Sequence, residues 1–134
     1  MRTNTKIILF LLFLLTPIYG FSPNSNPNVD TWLFVVSSDE YNFYYDFTNV
    51  NNSLISNYVT VWVKAVPRYR QERDGKEITY VLKQWVFYSG SREFKEAQTI
   101  FYFNEDYELY FGTEKKTVKP GTVAEKFYDK FCSR

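Results

Sequence analysis

Residues 58–66, YVTVWVKAV, alternate between two kinds of side chain. Every second residue is small and apolar, and this set is Val59, Val61, Val63 and Ala65. The residues between them are Tyr58, Thr60, Trp62, Lys64 and Val66. Because successive side chains of a strand point to opposite faces of a sheet, the pattern predicts a β-strand with one clean apolar face.

Further segments rich in aromatic and β-branched residues predict more strands. They are 31–37, 41–46, 77–88, 93–103 and 107–112, and a bulge is expected in 93–103, where the alternation is loose. Turn-forming residues separate them at 38–40, 67–76, 89–91 and 104–106, and the Asn- and Ser-rich stretch 49–57 is predicted to be a loop. About six strands joined by short local connections favour one antiparallel meander.

The end of the chain has helical periodicity. Thr122 can cap a helix, and Glu125 can complete a capping box by bonding back to the Thr122 amide. Val123, Phe127 and Phe131 recur every four residues and form one apolar stripe, which in a domain this small must cover the apolar face of the sheet. The predicted fold class is therefore α+β and mainly β, a meander of about six antiparallel strands with the C-terminal helix packed on one face.

The start of the chain predicts export. Arg2 and Lys6 precede the unbroken apolar run 7–15, and Gly20 offers a small residue for cleavage. This is the order of parts in a secretory signal peptide, and the apolar run is too short for a stable membrane anchor. We expect a signal peptide at 1–20, a flexible leader at 21–30 and a single domain at 31–134. The expected location is the periplasm, the outer surface or the extracellular space, with no integral membrane segment after the signal is removed.

Composition argues against several classes of function. Removal of Arg2 and Lys6 from the 16 basic residues leaves 14 against 15 acidic residues, and this near-neutral charge gives no electrostatic reason to bind nucleic acid. The chain has no histidine, which removes the usual general base, the serine and cysteine triads and imidazole metal sites. No glycine-rich phosphate loop occurs. We therefore expect no catalytic residue, no cofactor and no metal.

Two groups of carboxylates are the remaining candidates for acid–base chemistry. They are Asp39, Glu40 and Asp46 in one group, and Glu105, Asp106 and Glu108 in the other. Both groups lie at predicted turns, where acidic residues simply solvate a reversal. Asp46 is better explained as a turn former that accepts bonds from the backbone after it. The prediction is that the protein is not an enzyme.

Cys132 is the only cysteine, so it cannot form an internal disulfide. It is either buried, modified or paired with another chain. A position near the C-terminus of a helix, without a histidine partner, disfavours a reactive thiolate, so a structural cysteine is expected.

Binding is better supported than chemistry. The segment 67–76, PRYRQERDGK, predicts a projecting hairpin tip that reverses at Asp74-Gly75. Arg and Tyr are frequent in interface hot spots, and clustered Arg would suit an acidic or sulfated partner; a simply solvated tip is the alternative. A second basic cluster lies further along the chain, at an unknown distance from the first. The candidate partner-binding residues are Arg68, Tyr69, Arg70, Arg73, Lys115 and Lys116.

Several motifs, taken in order, resemble the surface-adhesin protein E family. They are Trp32-Leu33-Phe34, Tyr44-Tyr45-Asp46, the strand 59–64 (VTVWVK), the turn 119–122 (KPGT) and the final Phe131-Cys132. The resemblance spans Trp32 to Cys132. It implies an exported domain of the bacterial envelope, and an adhesin-like function, because the best-known members are outer-surface proteins that bind host extracellular-matrix proteins.

The resemblance also exposes one departure. Members of that family usually tie the C-terminal helix to the sheet with a disulfide, and the partner cysteine would lie near Ser89, where this chain has none. Cys132 therefore resembles the surviving half of a lost bridge. The helix would then be held by Val123, Phe127 and Phe131 alone.

Two functions follow as expectations. The first is an exported, non-enzymatic, adhesin-like binding module with a protein partner, such as host extracellular matrix. The second is a structural or accessory envelope protein without a host ligand. In that case the chain would self-associate, as a dimer or in an assembly, through an exposed edge strand.

Overall fold

The structure, a computed structural model, describes residues 31–53 and 55–132; the predicted signal peptide 1–20 and leader 21–30 lie outside these ranges. Ten strands and one helix occur within them. The strands are β1 (Trp32–Ser37), β2 (Tyr41–Asp46), β3 (Asn51–Ser53), β4 (Tyr58–Pro67), β5 (Glu72–Arg73), β6 (Lys76–Glu77), β7 (Tyr80–Tyr88), β8 (Glu93–Tyr102), β9 (Tyr107–Phe111) and β10 (Lys116–Thr117). The helix is α1 (Val123–Phe131). Within the described ranges, no helix is long and apolar enough to cross a membrane.

The main sheet follows the chain. Its strand order is β1-β2-β4-β7-β8, with every neighbouring pair antiparallel, so the predicted meander is confirmed. β3 pairs with the start of β4, and β9 and β10 share the outer edge of β8. β5 and β6 form a separate two-stranded hairpin between β4 and β7.

β3 corrects the prediction of a continuous loop over 49–57. Asn51 and Asn52 pair with Thr60 and Val59 of β4. β2 pairs only with the second half of β4, from Val63 to Pro67, which leaves the first half with an open edge. A polar segment therefore becomes a strand because β4 offers it unpaired backbone groups, which local propensity does not register.

The two faces of the sheet differ as the alternation of β4 predicts. On one face, here called the helix face, Val59, Val61, Val63 and Ala65 are buried. α1 packs on this face, where Phe127 meets the Trp85 ring edge-on at 5.2 Å between centroids. The opposite face, here called the open face, carries Tyr58, Thr60, Trp62, Lys64 and Val66 from the same strand, all partly exposed.

The bulge expected in β8 is present at Ala97. Gln84 pairs with Gln98 and the next residue, Trp85, pairs with Glu96, so Ala97 is the extra residue. The Ala97 carbonyl accepts a hydrogen bond from the Gly112 amide at 3.1 Å. The bulge therefore receives a backbone donor from the segment that follows β9.

α1 begins at the predicted cap, with one change of partner. The Thr122 hydroxyl accepts from the Glu125 amide at 3.2 Å, as expected. The Glu125 carboxylate accepts instead from the Gly121 amide at 3.0 Å, and not from the predicted Thr122 amide. Gly121 has φ +80°, a conformation that glycine adopts without strain, and its amide is within reach of the carboxylate.

Polar contacts also fasten α1, so the expectation that three apolar residues alone hold it is wrong. The Tyr128 hydroxyl donates to the Ser89 carbonyl at 2.8 Å, at the position where the resemblance places a lost disulfide partner. Arg92 donates to Glu125 at 2.9 Å. Phe127, Tyr128 and Ala124 are the buried residues of the helix, whereas Val123 and Phe131 are partly buried.

Candidate functional site

The β5–β6 hairpin is built by a tight turn. Asp74 has φ +54° and Gly75 has φ +77°, and two positive φ angles in succession are typical of the two-residue turns that match the twist of a hairpin. Arg73 pairs with Lys76 and Glu72 with Glu77 across the turn. The predicted reversal at Asp74-Gly75 is thus present.

The hairpin does not project freely, which corrects the expectation of a projecting tip. The Arg73 guanidinium lies 4.3 Å from the centre of the Phe101 ring and 5.2 Å from that of Tyr110, and it donates to the Tyr110 hydroxyl at 3.1 Å. Its Nε lies 3.5 Å from Glu108. Ile78, just after the hairpin, is buried in the core. Arg73 therefore fastens the hairpin to the part of the helix face that carries β8 and β9.

The remaining tip residues, Arg68, Tyr69 and Arg70, are exposed. Arg68 donates to the Ser38 carbonyl at 2.8 Å, and its amide donates to the Glu40 carbonyl at 2.9 Å, so its position is fixed by the β1–β2 turn. Tyr69 is 57% exposed. Together these residues present an aromatic ring flanked by two guanidinium groups.

Acidic neighbours compensate part of the charge at this tip. Arg70 forms ion pairs with Glu72 at 2.8 Å and with Glu77 at 2.9 Å. Both contacts are highly exposed, so their contribution to stability is small, but they reduce the positive potential that a partner would meet. The preference for an acidic partner that the sequence suggests is correspondingly weakened.

Lys115 and Lys116 lie at the other end of the sheet. Lys116 of β10 pairs with Phe94 at the start of β8, and the Lys115 ammonium lies 4.2 Å from the centre of the Tyr88 ring at the end of β7. The tip lies beyond Tyr80, at the start of β7. Tyr88 is eight residue steps along β7 from Tyr80, which corresponds to about 25 Å. The structure therefore does not bring the two predicted basic clusters together.

The candidate carboxylates are engaged structurally. Asp46 accepts bonds from the Thr48 amide at 3.0 Å, the Thr48 hydroxyl at 2.6 Å and the Asn49 side chain at 3.0 Å, as expected for a turn former. Asp106 pairs with Lys76 at 2.8 Å. A depression of about 320 Å³ beside this pair is lined by Lys76, Glu77, Phe103, Asn104, Glu105 and Asp106. In the described part of the chain, no group of three or more acidic or cysteine side chains is placed so that it could hold a metal ion.

Glu96 occupies a partly buried position on the helix face. Burial by itself would raise the pKa of this carboxyl, but Lys83 at 3.2 Å, nearby Lys116 and the Trp85 ring N–H together hold the pKa below its usual value. Glu96 is thus a structural anion that bridges β7 and β8.

Cys132 follows the last residue of α1 and packs against the core with partial exposure. Its amide donates to the Tyr128 carbonyl at 2.7 Å and closes the helix. Burial raises the pKa of its thiol, which disfavours a thiolate at neutral pH. This environment fits the structural cysteine that the sequence suggests.

The open face is the surface that the sequence-based site prediction did not select. Its rings come from strands across the whole sheet, and they are Trp32, Phe34, Tyr44, Tyr58, Trp62, Tyr80, Tyr88, Tyr102, Tyr107 and Phe111. α1 and the β5–β6 hairpin both contact the helix face, and within residues 31–53 and 55–132 no helix or further strand covers the open one. In the sequence, only the alternation of β4 indicated this face. Which residues of the other strands lie on it depends on how the strands pair, and the sequence alone does not give that register.

The rings of the open face are ordered by contacts with one another and with lysine. Tyr80 and Tyr102 stack at 4.6 Å between centroids. The Lys64 ammonium lies 4.7 Å from the Tyr80 ring and 5.6 Å from the Trp32 ring. Burial first, and then the neighbouring Tyr80 and Tyr107, raise the pKa of Tyr102 to about 12, so its hydroxyl is a hydrogen-bond donor at neutral pH.

Comparison with known proteins identifies solved structures that share this fold. No protein-family model and no curated protein matches this sequence. Crystal form II of Haemophilus influenzae protein E superposes with a TM-score of 0.57 at 10% identity, over 84% of this chain and 94% of that chain. Protein E from non-typeable Haemophilus influenzae superposes with a TM-score of 0.52 at 13% identity, over 84% of this chain and 82% of that chain. The selenomethionine form of Haemophilus influenzae protein E superposes with a TM-score of 0.52 at 12% identity, over 85% of this chain and 96% of that chain. At this identity the likeness shows a shared fold.

Proposed function

We propose that this chain, whose fold is that of protein E, is an exported, non-enzymatic binding protein that contacts a protein partner in an adhesin-like manner. The observation that carries the proposal is the protein E fold itself, which extends over 84% of the chain. The motifs from Trp32 to Cys132 support the same family on independent grounds. The predicted signal peptide 1–20 supports a location in the periplasm, on the outer surface or in the extracellular space.

The contact that we propose is the exposed group Arg68, Tyr69 and Arg70. Tyrosine and arginine contribute disproportionately to binding energy at interfaces. Because the Ser38 carbonyl already orients the Arg68 guanidinium, binding would cost less side-chain entropy than binding by a free arginine. Arg73 would act by holding the hairpin, and Lys115 and Lys116, which lie on opposite faces at the other end of the sheet, would take no part in this contact.

The test measures binding of the purified protein to a panel of immobilised extracellular-matrix proteins by interferometry. Tyr69→Ala and Arg68→Gln should each weaken binding about tenfold, the effect of a moderate hot-spot residue. Phe111→Ala is the matched control, because Phe111 is an even more exposed aromatic residue on β9, away from the tip. It should leave affinity unchanged.

Failure to bind any member of the panel would count against an adhesin-like function. Equal losses from Tyr69→Ala and Phe111→Ala would instead contradict the location of the contact. Circular dichroism of each variant separates loss of a contact from loss of the fold.

A second candidate function, self-assembly of an accessory envelope protein, has one specific observation in its favour. β1 is an edge strand that pairs with β2 on one side, and it exposes Leu33 and Phe34, at 46% and 56%. Exposed apolar edge strands favour addition of another strand. Sedimentation velocity of the wild type and of Phe34→Lys tests it. A dimer that Phe34→Lys dissociates would support assembly, and a monomer at all concentrations would exclude it.

A further inference from the structure

The open face carries lysines whose charge has no acidic partner. Lys64 lies between the Trp32 and Tyr80 rings, Lys115 lies over the Tyr88 ring, and Lys95 is paired with Val86 on the same face. Within the described part of the chain, none of these three ammonium groups forms an ion pair. A ring on each side holds Lys64 in place without neutralising its charge.

Two carboxylates share this face with the three lysines. Register places Asp46 and Glu93 there, opposite Trp32 and Tyr88 respectively. The Asp46 carboxylate already accepts three hydrogen bonds from Thr48 and Asn49. Glu93 lies beside Lys95 and opposite Tyr88, so the lysines outnumber the carboxylates of this face by one.

The cations are spaced along the strand direction. Lys64 is level with Leu82 of β7, Lys95 with Val86 and Lys115 with Tyr88. Separations of four and six residues on β7 correspond to about 13 and 20 Å. A row of this length is suited to a polymer with repeated anionic groups and exceeds the size of a single small anion.

Polar groups lie between the rings. Gln98 donates from its side-chain amide to the Gln84 side-chain carbonyl at 3.2 Å, in the middle of the face. Each amide has two donors and an acceptor with two lone pairs, so both residues retain bonding capacity toward a ligand. Aromatic rings that alternate with such amides match a sugar polymer, whose ring C–H groups pack on the electron-rich faces of aromatic rings and whose hydroxyls both donate and accept.

From the spacing of the lysines, the rings and the amides we infer that the open face binds an acidic polysaccharide. The anionic groups would pair with Lys64, Lys95 and Lys115, and the sugar rings would pack on Trp62 and its aromatic neighbours. A second copy of this chain fits less well. In a symmetric contact through this face the lysines would outnumber the carboxylates available to pair with them, and unpaired buried charge is costly.

The test uses the purified protein and heparin oligosaccharides as the probe, followed by calorimetry and by tryptophan fluorescence, which reports on Trp32 and Trp62. We expect saturable binding that weakens as salt is raised. Lys64→Gln should lower affinity about tenfold, the loss of one charge-assisted hydrogen bond. Trp62→Leu should lower it about fivefold, by removing one aromatic packing contact.

Controls separate this site from the rest of the molecule. Lys126→Gln removes an exposed lysine of α1, on the opposite side of the sheet, and should leave heparin affinity unchanged. Tyr69→Ala should also leave it unchanged, so this inference and the proposed function fail or succeed independently. Neutral dextran should not bind, and polyglutamate should bind more weakly than heparin, because it offers charge without sugar rings.

Three results would overturn the inference. They are no binding of heparin at low salt, equal losses from Lys64→Gln and Lys126→Gln, and binding of polyglutamate as tight as that of heparin with the same dependence on Lys64. The last result would make the face a general site for acidic polymers, including acidic proteins.

Discussion

Gly112 lies where the segment after β9 passes close to the bulge of β8. A Cβ atom at this position would overlap the Glu96 carbonyl oxygen, which is backbone and cannot rotate away. Gly112→Ala should therefore force the two segments apart and reduce the free energy of unfolding by about 2 kcal/mol. Urea unfolding measures the loss.

Gly90→Ala is the matched control, because a Cβ at Gly90 would meet no atom within 4 Å. It should change stability little. If the two substitutions cost the same, the close approach at Glu96 is not a constraint on the fold.

Glu96 makes stability depend on pH. Its pKa is lowered in the folded state, so the stabilisation is complete above the unfolded pKa of about 4.3 and is lost as the pH falls through the folded value. Glu96→Gln should cost about 1 kcal/mol at pH 7, and this difference from wild type should shrink by pH 3. Urea unfolding at both pH values measures it. Glu114→Gln, at an exposed site, controls for the loss of one charge, and a deficit for Glu96→Gln that stays constant with pH would contradict the assignment.

Tyr128 connects α1 to the end of β7. Tyr128→Phe removes the 2.8 Å hydrogen bond to the Ser89 carbonyl and should lower the free energy of unfolding by about 1 kcal/mol. Tyr69→Phe, at an exposed tyrosine, should leave stability unchanged in the same thermal melts. An unchanged melting temperature for Tyr128→Phe would mean that apolar packing alone holds the helix.

At the scale of elements, the predictable parts are those that local pattern determines. β2 has the predicted bounds, the bulge lies in the segment with loose alternation, and α1 starts at the predicted Thr122 cap. β3 was missed because its polar residues form a strand only through the unpaired edge of β4. Glu125 was assigned the wrong amide because the conformation of Gly121 sets its partner.

The β5–β6 hairpin shows why the candidate site was harder to predict than the fold. Its turn is encoded locally by Asp74-Gly75, but its direction depends on distant rings, Phe101 and Tyr110, that Arg73 covers. Arg73→Ala should release the hairpin, so that amides of 72–77 exchange with deuterium faster while those of β4 and β7 remain protected. Unchanged exchange in 72–77 would show that Ile78 alone positions the hairpin.

At the scale of the whole molecule, the two faces of the sheet differ in what packs on them. α1 and the hairpin pack on the helix face, whereas the Arg68–Tyr69–Arg70 tip and Leu33 and Phe34 of the β1 edge are exposed. On the open face Leu82, Val86 and Ile100 are buried, and the rings around them are at least partly exposed. The tip is separated from Lys115 and Lys116 because of the antiparallel pairing of the strands. The tip follows the end of β4 that pairs with the start of β7, whereas Lys116 pairs with the start of β8, which lies beside the end of β7.

Hydrogen–deuterium exchange of the purified protein, with and without a matrix protein that it binds, tests the proposed function most directly. The account predicts protection at 67–71 and at the adjoining turn 38–41, because Arg68 connects the two through the Ser38 and Glu40 carbonyls. Protection confined to β1, present without ligand and growing with protein concentration, would contradict it and assign the chain to self-assembly.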